Sequence, residues 1–398
     1  MDNMEKKAAY KKLLEQFNVD SVPADAKKIL DHFDEIIQGV RPLNSKQLQQ
    51  LPQNIKALSH QLTDMRSERR LGYMNETVQL SAYVRYYTWW NLVRLTRLFA
   101  NLPSELFPSG PAVCLDMGSG PLTVINALFL ARPELRKLEL TWYCVDVSSN
   151  SLALGEDIFL SLAAKLKASP WKIIRVKGSF GVSLKQKADF ITCANMLNEL
   201  DQASTMPPEF QTKKYYEQFM HYASKKASFI LVEPGIPKAA RTLSLLRERF
   251  IKDDFYIKAP CPHSQACPMN GFKSYTGSKN KWCNFAFSTT DAPARLLKLS
   301  ELAKLPKERA ILSFICAGKN KNLQEDDGLL CRITSDEFYL PARKKGYYAC
   351  SELGLTLINC SQEKSFNSGD LLFINADFKR KMPDLPIDKK SGAKIIKL

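Results

Sequence analysis

The chain has 398 residues, 57 of them basic and 41 acidic, for a formal charge of +16, and 45% of its residues are hydrophobic. That composition excludes wholesale disorder and allows two or three domains with at least one sizeable core, while the excess positive charge suits work against phosphates, nucleic acid first, with a generally lysine-rich proteome as the alternative that needs no partner. Ten cysteines without a secretion-type leader and without any apolar run of spanning length argue against a disulfide framework and a membrane partner, so the expected setting is cytoplasmic.

Residues 1–105 read as a helical N-terminal domain, with Ile29, Phe33, Ile36 and Ile37, and later Leu92, Leu95, Leu98 and Phe99, at helical spacing. Its densest part, Tyr83 to Arg94, interleaves aromatics with arginines; it could stack on bases, although packing of one helix onto the next domain is the more ordinary use. From Ala112 short apolar runs alternate with amphipathic stretches, which predicts βαβ units and a parallel sheet over 106–320. Strands are expected at Ala112–Asp116, Leu140–Val145, Lys172–Val176, Asp189–Cys193 and Ser228–Val232. Two more, Asn284–Ser288 and Ile311–Ala317, should flank a helix starting near Ala292. Five strands followed by two around a helix is the order of an α/β, Rossmann-like class I S-adenosylmethionine-dependent methyltransferase sheet, closing on a reversed hairpin. Beyond Lys319, the runs Leu329–Ile333, Tyr347–Ser351, Leu355–Cys360 and Asp370–Phe373 predict a small β-rich domain over 321–398. Arg343-Lys344-Lys345 and the tail residues Lys379, Arg380, Lys381, Lys389, Lys390, Lys394 and Lys397 give it charge to follow RNA phosphates.

Chemistry concentrates at two places. After the first strand of the sheet, Asp116-Met117-Gly118-Ser119-Gly120-Pro121 sets a carboxylate at the carboxyl edge, then two glycines that let the backbone turn and approach a ligand. A pyrophosphate loop would carry a third glycine, and this run has none, which suits a cofactor without phosphate. About thirty residues on, Asp146 ends the second strand, where a carboxylate can accept from both hydroxyls of a ribose. Asp116, Gly118, Gly120 and Asp146 are therefore the expected S-adenosyl-L-methionine contacts. The catalytic end is less marked. Cys193-Ala194-Asn195-Met196-Leu197-Asn198-Glu199 lacks the Pro-Pro-aromatic run of exocyclic-amine methylation, Cys193 reads as a small core residue, and Asn195 and Glu199 are left as candidates near the acceptor.

The second place is the loop at 258–285. Cys261-Pro262-His263 and Cys267-Pro268 stand six apart, and Trp282-Cys283 follows sixteen later, in an irregular stretch able to wrap a metal; Lys273, Lys279 and Lys281 give it charge. Zinc favours tighter Cys-x2-Cys knuckles, whereas an iron–sulfur cluster accepts wider spacing and often has proline after a ligating cysteine. His263 would complete a zinc site, and Cys316 or Cys331 a four-cysteine one.

Taken together, Asp116 to Pro121, Asn198-Glu199-Leu200, Val232-Glu233-Pro234-Gly235, Cys261-Pro262-His263, Cys267-Pro268 and Trp282-Cys283-Asn284-Phe285 resemble the methyltransferase-like assembly factors of the small ribosomal subunit, known from mitochondria and with bacterial relatives. The resemblance covers about residues 70–350. It implies a methyltransferase fold, ribosomal RNA and the maturing small subunit as partners in ribosome biogenesis and translation, and a [4Fe–4S] cluster on Cys261, Cys267, Cys283 and Cys331. It leaves open an active rRNA methyltransferase with a structural zinc or cluster. The chain departs from the family pattern at Leu122, where a second glycine is usual, a departure that bears on cofactor affinity.

Overall fold

The computed structural model describes residues 10–14, 22–63, 73–202, 205–272, 281–320, 328–375 and 385–398. Lys273, Lys279, Lys379, Arg380 and Lys381, expected to add charge to the metal loop and tail, lie outside them. In chain order the elements are β1 (Tyr10–Leu14), α1 (Ala24–Asp31), α2 (Phe33–Val40), α3 (Ser45–Thr63), α4 (Thr77–Ala82), α5 (Trp89–Asn101), β2 (Ala112–Met117), α6 (Thr123–Ala131), β3 (Leu140–Asp146), α7 (Ser149–Lys165), β4 (Lys172–Lys177), β5 (Ala188–Ala194), α8 (Leu197–Gln202), α9 (Pro208–Tyr222), β6 (Ala223–Pro234), α10 (Pro237–Lys252), β7 (Tyr256–Ala259), β8 (Phe285–Ser288), α11 (Ala294–Leu302), β9 (Arg309–Gly318), β10 (Leu329–Ile333), β11 (Phe338–Leu340), β12 (Lys344–Ser351), β13 (Gly354–Cys360), β14 (Leu371–Ile374) and β15 (Lys394–Lys397). They form two compact units, Asn18–Phe229 with Ser288–Ala310, and Met1–Phe17 with Ile230–Phe287 and Ile311–Leu398.

In the first unit the strand order is β4-β3-β2-β5-β6. The pairs β2 with β3, β3 with β4 and β2 with β5 are parallel, in the registers Asp116 to Cys144, Cys144 to Arg175 and Asp116 to Thr192. The central strands read as near-continuous apolar runs because both faces are covered: Cys114 to Met117 and Trp142 to Asp146 are buried throughout. Helix α6 is buried along its whole length, matching its lack of a polar face. The segment Tyr83–Thr88 between α4 and α5 is a π-helical turn. The aromatics there pack rather than stand free. Trp89 Nε1 donates to the Leu30 carbonyl (2.7 Å), Trp90 Nε1 to Ser300 Oγ (3.1 Å) and Tyr86 Oη to the Leu305 carbonyl (3.0 Å), while buried Arg85 donates to Gln38 Oε1 and the Arg41 carbonyl at 2.8 Å each.

Strand β6 runs from the first unit into the second, where the order continues β6-β9-β7, with β7 antiparallel to β9. Read through β6, the sequence of neighbours is that of the class I methyltransferase sheet, reversed final strand included. One expected strand is corrected. The sixth place is held by β7, and β8, near the expected Asn284–Ser288, pairs with β9 off the main path. Four residues ending on Ala259-Pro260, with a bulge between Ile257 and Ala259, are too short and too irregular to announce β7 in the sequence.

The second unit also holds a seven-stranded sheet, β1-β14-β10-β12-β13-β15 with β11 on β12. Its β1 corrects the expectation of helix throughout 1–105: Tyr10 to Leu14 pair antiparallel with β14. One face of this sheet buries Leu329, Cys331, Ile333, Tyr347, Ala349 and Ile358 in a single apolar cluster.

Candidate functional site

In the first unit, the glycine loop, the end of β3 and the start of α8 converge on one open cleft. Gly118, Gly120, Asp146, Asn195 and Glu199 all line it, so five of the six residues expected at the cofactor and acceptor ends are brought together. Asp116, the sixth, is fully buried at the end of β2 and does not line the cleft. Its Oδ1 accepts from Thr192 Oγ1 at 2.7 Å, and burial pushes its carboxyl up to about 7 against hydrogen bonds from the Thr192 and Ser119 hydroxyls. It organises the turn rather than offering a free carboxylate.

Asp146 is the carboxylate that faces the cleft. Its Oδ2 accepts from the Gly120 N–H at 2.9 Å and its Oδ1 from the Ser148 N–H at 2.8 Å. Two lone-pair sites remain, one per oxygen, for a vicinal diol. Burial raises its pKa, which the backbone donors oppose. Ser148 also caps α7, its hydroxyl oxygen accepting from the Ser151 N–H at 3.2 Å. The same hydroxyl donates to Asn75 Oδ1 (2.8 Å), which fastens the turn carrying Met74 to this end of the cleft.

Gly118 has φ +70°, and a Cβ there would stand 2.8 Å from Met196, so both backbone freedom and close approach demand glycine. The departure from the family pattern at Leu122 has a structural consequence: this buried leucine sits at φ +53°, a left-handed conformation a glycine would enter freely, just before α6. Asn195 is also left-handed, φ +60°, which asparagine tolerates, and Arg94 Nη2 lies 3.4 Å from its Oδ1 while bonding Asn91 Oδ1 at 2.6 Å. Glu199 lies in the first turn of α8. Cys193 is buried, as a core residue should be. Met74, Tyr83, Asn91 and Met196 line the cleft without having been expected there; of these, Tyr83, Asn91 and Met196 stood in stretches the sequence had marked, and Met74 did not.

The cysteine group lies in the second unit. Cys261 follows β7, and Cys283 precedes β8, its N–H bonded to the Met269 carbonyl at 3.1 Å. A bridge between Asn270 and Trp282 folds the loop back on itself. Cys261, Cys267 and Cys283 then act on one another electrostatically: burial pushes Cys261 and Cys283 up, the neighbouring thiols add to it, and Arg247 and Arg332 oppose it. The fourth thiol in this group is Cys350, raised by burial and then by Cys261, Cys267 and Cys283. His263 Nε2 is 3.1 Å from Cys350 Sγ, and burial with nearby Arg247 pushes this imidazole down to about 4.

Cys331, the residue expected to be the fourth ligand, is placed elsewhere. Arg332 pairs with Cys350 across β10 and β12, so these two share a face, and strand alternation sends Cys331 to the opposite one, into the apolar cluster. Cys316, buried in β9, has Cys261 as its thiol neighbour. Among the described residues no three His, Cys, Asp or Glu side chains form a group able to hold a metal ion in the arrangement seen. In donor chemistry the group is four soft thiols, Cys261, Cys267 and Cys283 partly buried and Cys350 buried, beside two guanidinium groups, the donor type that a thiolate-bound cluster or zinc takes.

A family match spans residues 81–335, well over half of the chain. No curated protein sequence matches it. Among solved structures it is similar to a ribosomal protein L11 methylase from Lactobacillus delbrueckii subsp. bulgaricus (16% identity, 42% of this chain and 71% of that one, TM-score 0.29). It is also similar to a precorrin-6y C5,15-methyltransferase from Geobacter metallireducens (11%, 64% and 94%, 0.32) and to the SAM-bound magnesium protoporphyrin IX methyltransferase of Synechocystis (15%, 53% and 90%, 0.31). Superposition this loose carries no inference about substrate, and the fold assignment rests on the chain's own strand order. The matched family is described as mitochondrial small ribosomal subunit Rsm22, and the chain belongs to it.

Proposed function

We propose that this protein is an assembly or translation factor of the small ribosomal subunit that binds ribosomal RNA, keeps an S-adenosylmethionine cleft, and carries a [4Fe–4S] cluster on Cys261, Cys267, Cys283 and Cys350. The observation that supports it best is the joint placement of Gly118, Gly120 and the doubly held Asp146 around one cleft, in a chain whose family is described by the small subunit. Bound there, the cofactor would supply an activated methyl group; the chain's own part is to grip the ribose at Asp146 and to close the other end with Asn195, Met196 and Glu199. The cluster, once bound, would tie the loop between β7 and β8 to β12 and so serve orientation.

A second reading, an active rRNA methyltransferase, has one observation in its favour: Asn195 and Glu199 both reach the cleft. Asp146→Ala separates the two. Loss of RNA methyl transfer with small-subunit binding intact marks an enzyme, and unchanged cellular function after loss of cofactor binding marks a scaffold. Cofactor binding unaffected by the substitution would contradict the cleft assignment itself. The compartment follows the small subunit: the cytoplasm of a bacterium, as expected from the sequence, or the organelle named in the family's description. Among the described residues no helix is long and apolar enough to cross a membrane.

A further inference from the structure

The cleft occupies the carboxyl edge of the parallel strands, where an open α/β sheet takes its ligand, and the cofactor has no use for the amino edge. Cations gather at that opposite edge. From Lys165 to Lys187 the chain holds no acid. Helix α7 starts at the carboxyl edge, next to the turn in which Ser148 N–H donates to Asp146, and hands over to β4 at the amino edge. Its end therefore brings exposed Lys165 and Lys167 there, close to exposed Lys172, the first residue of β4 and opposite Thr141. Exposed Lys185 and Lys187 lead into β5, with Lys187 Nζ donating to the His221 carbonyl. Exposed Lys225 and Lys226 enter β6 beside the start of β5, where the Ser224 hydroxyl donates to Asp189 Oδ1 at 2.8 Å.

The acids of this edge do not neutralise the row. Asp189 pairs with Lys226 at 3.7 Å, Glu134 and Glu105 bear on Arg132, and exposed Glu139 follows exposed Lys137 two residues on. Among the described residues, Lys165, Lys167, Lys172, Lys185 and Lys225 form no ion pair. Lysines on an edge strand such as β4 guard against pairing with another sheet. That does not account for Lys185, Lys187, Lys225 and Lys226, because β5 and β6 lie inside the sheet. From β4 to β6 the row crosses four strand spacings, about 19 Å, room for several phosphates of a nucleic-acid backbone. The seven residues of β3 keep it about 20 Å from the cleft edge.

We propose that this lysine row on the amino edge is the surface on which the first unit holds the phosphate backbone of ribosomal RNA, so that RNA and cofactor occupy opposite edges of one sheet. The inference rests on the RNA-binding reading above and is independent of the cysteine loop. The test titrates the full chain against labelled, purified small-subunit ribosomal RNA over a series of salt concentrations. One variant carries Lys167→Gln, Lys172→Gln, Lys185→Gln and Lys225→Gln; a control removes the same charge from exposed lysines elsewhere in the unit, with Lys28→Gln, Lys46→Gln, Lys56→Gln and Lys298→Gln. The edge variant should bind RNA at least about tenfold less tightly at low salt, with a slope of log affinity against log salt shallower by about three, while the control keeps a slope within about one of wild type. Both should bind S-adenosylhomocysteine and melt as the wild type does. An edge variant no weaker than the control would overturn the surface and leave RNA binding by the chain standing, and lost cofactor binding in a normally melting edge variant would overturn the separation of the two edges. A wild type that binds no ribosomal RNA would sink the RNA-binding reading and this inference with it. Capture of polyglutamate in place of RNA through the same lysines would make the edge a protein-docking surface and overturn the RNA assignment.

Discussion

Asp116 shows how a residue can organise a site without lining its cleft. Buried under the glycine turn, it holds its proton up to about pH 7, whereas in the unfolded chain it would lose it near 3.8. Because the folded-state pKa is the higher one, the native state holds the extra proton between these values. The stability this group contributes is fully present below about pH 4 and is lost as pH rises to about 7, on the order of 4 kcal/mol across the window. Asp116→Asn keeps an oxygen for Thr192 and carries no charge, so its unfolding free energy should be flatter than wild type between pH 4 and 7; a variant with the full wild-type slope would count against this assignment. At the cysteines, strand parity makes an equally sharp prediction. On the proposed cluster, Cys350→Ser should abolish iron and sulfide binding, whereas Cys331→Ala should leave it intact and lose only packing stability, about 1–2 kcal/mol. The reverse pattern in metal analysis would restore Cys331 as the ligand.

Among the elements, the glycine loop is held from below by α7. A Cβ on Gly155 would come within 2.4 Å of the Pro121 carbonyl carbon and 2.8 Å of the Leu122 backbone nitrogen and side chain, so helix and loop pack backbone against backbone there. Gly155→Ala should therefore push the loop out of register, costing about 1–3 kcal/mol in stability and weakening cofactor binding at the same time; calorimetry with S-adenosylhomocysteine and a thermal melt would check both, and unchanged binding would show that the loop yields freely. Those same elements divide into what the sequence reveals and what it hides. Strands β2, β3 and β5, with Asp116 and Asp146 near the ends of the first two, were readable because buried parallel strands are apolar runs closed by turns. Strands β1 and β7 were not, since five and four residues of mixed polarity owe their form to distant partners, β14 and β9. Met74 reaches the cleft through tertiary packing that no local pattern announces. The place of Cys350 beside the cysteine loop was hidden for the same reason: within Tyr347 to Ser351 it looks like any core residue, and only its register with Arg332 reveals which face it takes.

For the molecule as a whole, the family is described by the small ribosomal subunit, and the charge of +16 suits the proposed contact with its RNA. Exposed lysines and arginines that replace counterions on phosphates make affinity fall linearly with salt on logarithmic axes, roughly a thousandfold from 50 to 200 mM if about six phosphates are engaged. The most direct measurement is co-sedimentation of the purified full chain with small ribosomal subunits and their precursors through a gradient, at low and at high salt. The account predicts that the protein travels with the small-subunit fraction at low salt, leaves it as salt rises, and ignores the large subunit. Migration as free protein at every salt concentration, or equal attachment to both subunits, would contradict it.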